Sequence, residues 1–192
     1  MLLDILQFLI ETLSRLFVLV LLLRFYLQVA RAPFKHPLCQ FVMAVTNFAV
    51  LPTRKLLPSI HGYDTATMVL AWAVSLLAGV LVAAINSVPD IFALPQVWVA
   101  LVLRALLEVF RQSLTLLMGA VIVQAVMSWV NPYHALSPIL DALTRPYLRP
   151  FRRFQVGGVD LSPLIVLLII QVLLLVVSTL DVTFLTQLKV SI

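Results

Sequence analysis

The chain has 192 residues, of which 62% are hydrophobic and only 11% charged, with a formal charge of +5. A soluble domain averages about 45–50% apolar and about 25% charged residues, so these values point to lipid as the solvent. The single cysteine, Cys39, excludes an intrachain disulfide and a cysteine metal cluster; it reads as a small buried hydrophobe.

The N-terminus opens on Asp4 and Glu11, with Arg15 as its first base, which is unlike the cationic start of a cleaved signal. A span needs about 20 apolar residues, because a helix rises about 1.5 Å per residue through a core of about 30 Å. Four stretches qualify: 5–29, 66–88, 112–130 and 164–184. All are expected to be helices, since backbone in lipid must satisfy its own hydrogen bonds. The apolar segment 97–111 carries Arg104, Glu108 and Arg111, and reads either as an interfacial helix or as an extension of the third span.

Within the first span, Glu11 and Arg15 are four apart and form a helical pair, while Arg24 is placed to snorkel at the far end. Span two repeats small residues every turn at Ala71, Ser75, Gly79 and Ala83, a helix-packing signal. Gln124 and Ser128 on span three, and Gln171 and Ser178 on span four, either bond across helices or line a polar path. Convergence of Gln124, Ser128 and Gln171 on one cavity would favour a path. Asp181 is expected at the far interface, and Trp98 and Trp129 at the aromatic belts.

The bases fall by loop. Arg31, Lys35, Arg54 and Lys55 lie between spans one and two; Arg145, Arg149, Arg152 and Arg153 lie between spans three and four. The turn 86–96 has none, and the C-terminus has Lys189. Positive loops stay cytoplasmic, so both termini are expected on the opposite side, the periplasm in a Gram-negative cell.

An internal repeat accounts for this symmetry. Residues 46–55 (TNFAVLPTRK) lie over 144–153 (TRPYLRPFRR) without a gap, matching Thr, Pro and the paired bases. Gly62-Tyr63-Asp64 then matches Gly158-Val159-Asp160 before a new span. The expected fold is therefore all-α: four transmembrane helices in two parallel tandem repeats, each with an amphipathic interfacial segment. The repeats are 1–96, with basic loop 30–65, and 97–192, with basic loop 131–163.

The second copy, Thr-x-Pro-x-Leu-x-Pro-x-Arg-Arg followed by Gly-Gly-Val-Asp-Leu-Ser-Pro, resembles the YggT family, called YlmG in Gram-positive bacteria and chloroplasts. The likeness covers nearly the whole chain. The first copy departs from it, because His61-Gly62-Tyr63-Asp64-Thr65-Ala66 lacks the second glycine and the Ser-Pro pair. The resemblance implies a link to osmotic tolerance, cell division or chromosome partitioning, or cytochrome assembly in plastids. It implies no single biochemical activity.

Local chemistry gives these motifs structural roles first. Pro163 suits a first helical position, Ser162 an N-cap, and Asp160 adds negative charge at the positive helix end. Asp64 with Thr65 does the same more weakly for span two, and Asp160 is within reach of Arg152 or Arg153. Ser137 and Pro138 start an amphipathic stretch, 137–144, near which Leu136, Leu140, Leu143 and Tyr147 share one side; Pro150 and the bases follow it. Such a segment lies in the interface with its bases at phosphates. Arg54, Lys55, Arg149, Arg152 and Arg153 are the candidate lipid- or partner-binding residues.

The chain has no phosphate-binding glycine loop and no GxSxG, and His36, His61 and His134 are far apart. No catalytic, cofactor or metal residue is expected. The sequence predicts a non-enzymatic inner-membrane interaction or assembly protein, and the resemblance implies a part in envelope or osmotic-stress homeostasis. Its basic loops would bind anionic lipid or a partner, and its helices a membrane protein or a second copy. No basic stretch suits nucleic acid. The rival reading is a subunit of an oligomeric channel or transporter.

Overall fold

The computed structural model describes residues 1–33, 35–57, 63–86, 92–131, 134–151, 155–156 and 159–190; at 155, 156, 159, 183 and 185–190 it describes backbone only. In chain order the helices are α1 (Leu2–Val29), α2 (Pro37–Leu56), α3 (Thr65–Asn86), α4 (Pro95–Val130), α5 (Ser137–Leu148) and α6 (Ser162–Val190). A single 3-10 turn, Arg149–Phe151, follows α5, and a two-residue ribbon pairs Gln155 with Asp160 and Val156 with Val159 ahead of α6.

Four helices are long and apolar enough to cross a membrane: Leu2–Val29, Thr65–Asn86, Pro95–Val130 and Ser162–Val182. The segment 97–111 is the first part of an unbroken 36-residue α4. At about 1.5 Å per residue that helix is about 54 Å long, well beyond a bilayer core of about 30 Å. It serves as the spine. Val97 and Leu101 pack with Leu76, Val80 and Ala83 of α3; further along, Leu114 and Val121 pack with Val166, Ile170 and Val177 of α6. α1 lies against both α3 and α4. Asn86 Nδ2 donates to Gln7 Oε1 at 2.9 Å, so the start of α1 and the end of α3 share one end of the bundle.

The short helices α2 and α5 occupy the other end. Leu27 and Ala32 cluster there with Cys39 and Val42 of α2 and Ile139 and Leu143 of α5. Burial raises the Cys39 thiol above its usual range, which keeps it protonated and unreactive. Both helices start alike. Pro37 lies in the first turn of α2 and Pro138 in that of α5, and a preceding histidine ring folds back onto the chain. His36 Nδ1 accepts from Leu38 N, and His134 Nδ1 from Leu136 N, each at 3.2 Å. Ser137 is already helical and its buried Oγ finds no partner, so the N-cap expected of Ser137 falls to Leu136, whose side chain makes no capping bond.

The buried side of α5 is Ile139, Leu143, Thr144 and Leu148. It overlaps the expected Leu136–Leu140–Leu143–Tyr147 side at Leu143, and Thr144 pairs with Gln124 of α4. Between α1 and α2 the turn is made by Arg31 at φ 52°. Ala32 N donates to Leu27 O and Arg31 N to Gln28 O, which closes α1 with a Schellman-type cap where glycine is the usual residue.

Candidate functional site

At the α2–α5 end, each amphipathic helix is held to the long helix before it by a fully buried threonine. Thr46 Oγ1 donates to Val42 O and accepts from Arg24 Nη1 at 2.7 Å; Arg24 also donates to Asn47 Oδ1 at 2.9 Å. Thr144 Oγ1 donates to Leu140 O and pairs with Gln124 Oε1. Arg24 was expected to snorkel outward. It is instead buried, because Thr46 and Asn47 satisfy its guanidinium inside the fold.

Asp64 caps α3 from within the same region. Its carboxylate accepts from Thr67 N at 3.4 Å and Thr67 Oγ1 at 2.6 Å, as an N-cap residue does. Arg54 closes on it as a fork, with Nε donating to Oδ1 at 3.2 Å and Nη2 to Oδ2. Asp64 is only 2% exposed. Burial alone would raise its carboxyl, but Arg54 and Thr67 outweigh burial and hold it below the usual carboxylate range. The cap on α3 is thus stronger than the sequence suggested, since a counter-ion ten residues upstream supports it. At the start of α6 the donors differ. Asp160 Oδ1 accepts from Ser162 N at 2.9 Å and from Ser162 Oγ, so Asp160 supplies the capping oxygen expected of Ser162. Arg152, Arg153, Gly62 and Gly158 lie outside the described residues, and with them the expected pairing of Asp160 to Arg152 or Arg153.

A second polar region lies deep between the long helices. Arg15 Nε meets Glu108 Oε1 at 3.2 Å, and Arg15 Nη2 is 3.6 Å from Glu11 Oε2. Glu108 also accepts from Gln112 Nε2 at 3.3 Å and faces Arg111 at 3.9 Å. Arg104 Nε donates to Asp181 Oδ1 at 2.8 Å, tying α4 to α6. The sequence yielded Glu11 with Arg15 but left 97–111 open between an interfacial helix and an extension of the third span, and placed Asp181 at the far interface. Their partners are 77 residues apart for Arg104 and Asp181, beyond any local pattern. The signal that could have found them was charge balance: three acids and three bases within apolar helices demand partners.

Beside this cluster is a cavity of about 70 Å³, lined by Glu11, Arg15, Ser75, Gly79, Arg104 and Glu108, among others. Gln124, Ser128 and Gln171 do not converge on it. Gln124 bonds Thr144, while Ser128 and Gln171 are exposed. Among the described residues, no group of three or more His, Cys, Asp or Glu could hold a metal ion.

The remaining candidates fall as follows. Lys55, Arg149 and Pro150 are exposed at the ends of α2 and α5, and Pro163 lies in the first turn of α6. Ala71 and Ser75 are buried and Gly79 and Ala83 half-buried, facing helices of the same chain. A Cβ on Gly79 would sit 3.8 Å from Leu101 Cδ2, an ordinary contact. Gly79→Ala is therefore expected to be neutral, whereas Gly79→Leu forces its branch against Leu101 and lowers the melting temperature in detergent. Equal melting of both variants would show that the α3–α4 contact tolerates bulk.

The pattern of the CCB3/YggT family matches this chain twice, over residues 3–85 and again over 97–180. A protein of Escherichia coli (strain K12) named "Uncharacterized protein YggT" is 32% identical over 171 residues, covering 88% of this chain and 86% of the relative. A Vibrio alginolyticus protein named for the proC 3' region is 31% identical over 169 residues, 86% of this chain and 89% of its own. A Pseudomonas aeruginosa protein is 30% identical over 178 residues, 90% and 88% of the two chains. No solved structure matches. By these two matches and these near full-length relatives, the chain belongs to the CCB3/YggT family.

Proposed function

We propose that the chain is a non-enzymatic interaction protein of the inner membrane whose basic cytoplasmic segments hold anionic lipid headgroups. The observation that carries this reading is the build of α2. It buries Cys39, Val42, Thr46 and Val50 and turns Phe41, Val45, Phe48 and Leu51 outward, with Lys55 exposed at its end. A helix apolar on both sides with a basic end suits the zone between acyl chains and phosphates. Arg145 and Arg149 are exposed at the end of α5 in the same way. Each base near an anionic leaflet contributes about 1 kcal/mol.

Arg54 is committed to Asp64, so the headgroup contacts fall to Lys55, Arg149, Arg152 and Arg153. The test compares lysine and alanine at Arg149, Arg152 and Arg153, in reconstituted protein exposed to soluble headgroup analogues. A bidentate phosphate contact is expected to be lost in the lysine variant, because an ammonium lacks the planar fork. Binding kept by lysine and lost by alanine would reduce the site to charge alone.

The same reading makes residues 1–96 and 97–192 tandem units of one orientation. Its support is the twofold family match and the recurring order of long helix, amphipathic helix, long helix. The termini then lie in the periplasm. A phosphatase fused at Ile192 is expected to be active and a cytoplasmic fluorophore dark; the opposite pattern would overturn the orientation.

The second reading, a subunit of an oligomeric channel or transporter, is favoured by the charge-lined cavity. Proteoliposomes no leakier to ions and small solutes than protein-free vesicles would dismiss it.

A further inference from the structure

The cavity beside the ionic cluster has a polar side and an apolar side. Gln7, Glu11 and Arg15 recur every four residues on α1; Arg104, Glu108 and Gln112 do so on α4. All of these but Gln7 line the cavity together with Ser75 and Gly79 of α3, with Val18 and Ala105 also in its wall. At the bundle end the rows meet the Gln7–Asn86 bond. From Asn86 down to Ser75 is about eleven residues of helix, hence about 16 Å. Ser75 therefore lies about halfway along α3, and Arg15 about halfway along α1.

Below that level the chemistry changes. Val18, Leu22, Ala71 and Val109 form one packed apolar cluster with exposures of 7% or less. Beyond it Thr67 bonds Asp64 and Arg24 bonds Thr46, so these polar groups satisfy one another.

Ser75 is the independent observation that points to an occupant. The residue is 8% exposed and lines the cavity, and its Oγ finds no partner. A serine inside a helix commonly bonds the carbonyl one turn back, as Ser113 does to Val109 at 2.9 Å. A buried hydroxyl left without a protein partner is destabilising unless something else bonds it. The charges of the region cancel: Glu11, Glu108 and Asp181 stand against Arg15, Arg104 and Arg111. Such a site offers dipoles rather than a net field. A water's share of liquid volume is about 30 Å³, so a cavity of about 70 Å³ has room for about two.

We propose that this cavity is a water-filled vestibule, entered at the Gln7–Asn86 end and closed by the Val18–Leu22–Ala71–Val109 plug, with water as the ligand of Ser75 and of the ionic cluster. Access to the middle of the bundle is one-sided in this conformation. The vestibule keeps Arg15, whose side chain is 52% exposed, in a polar medium at a depth where hydrocarbon would expel it. This inference goes beyond headgroup binding by α2 and α5 and does not rest on it.

Silver ions are small, travel in water and block thiolates, so they read the vestibule directly. The full chain, with Cys39→Ala as background, carries one cysteine at a time: Ser75→Cys or Gly79→Cys in the cavity, Ala71→Cys in the plug, and Asn86→Cys at the rim. Membranes are treated with silver nitrate, denatured, and labelled with a fluorescent maleimide. Protection of the two cavity cysteines is expected at least about tenfold faster than that of Ala71→Cys, because only a hydrated thiol ionises readily. Protection of Asn86→Cys alone would show a dry cleft and overturn the proposal. Equal protection of Ala71→Cys would remove the plug and, with it, one-sided access.

Discussion

Replacing Arg54, whose side chain is 41% exposed, with alanine is expected to lower stability by about 1–3 kcal/mol, because the buried Asp64 carboxylate loses its counter-ion. Asp64 would keep Thr67 but lose the fork that satisfies both its oxygens. The second substitution Asp64→Asn, made on Arg54→Ala, is expected to recover part of the loss, because a neutral amide needs no counter-ion and still caps α3. The pH dependence has a definite sign. Asp64 is held below the ordinary carboxylate value of about 4, so the pair's contribution is complete above that value. It is lost as pH falls through the lower, folded-state value. Arg54→Ala takes away the main force opposing burial, so the loss of stability in acid is expected to shrink in that variant. Thermal unfolding in detergent across pH 2–7 reads both effects. An Arg54→Ala protein that melts like the parent throughout would show that the pair is only a surface contact.

The second large effect is expected at Arg104 and Asp181. Asp181→Arg places two guanidiniums face to face between α4 and α6, where each already has limited access to solvent. An unpaired charge within a span costs on the order of 3 kcal/mol, and like-charge repulsion adds to it. The single variant is expected to fall sharply in membrane yield and in melting temperature. The swap of both residues, Arg104→Asp with Asp181→Arg, restores opposite charges across the same gap and is expected to recover most of both. A swap no better than the single variant would mean that the surrounding side chains, rather than the attraction, fix the geometry. A harmless single variant would mean that α6 is free to turn Asp181 outward.

The contrast between these two pairs marks how far the sequence reaches. Four helices with the length and apolarity to span a bilayer were legible from composition, because a helix in lipid must be apolar along about 20 consecutive residues and no tertiary contact alters that. The start of α6 at the Asp160–Pro163 motif was legible for a similar reason, since capping acts within a few residues of the chain. The burial of Thr144 on α5 was not legible, because its partner is Gln124 of another helix. Glu11 and Arg15 showed themselves as a pair by spacing, but Glu108 joins them from α4.

What the sequence determined by itself is therefore the set of elements: long apolar helices, amphipathic connectors that begin at prolines, and acids that cap helix starts. Each is fixed by forces acting within a turn or two of one segment. What only the tertiary structure decided is where the charges go. Arg54 turned to Asp64, Arg24 to Thr46, and Arg104 to Asp181, across 10, 22 and 77 residues of sequence. The physical reason is that a charge leaving water must find a partner wherever the packed helices bring one, and that partner is set by helix packing rather than by neighbours in the chain.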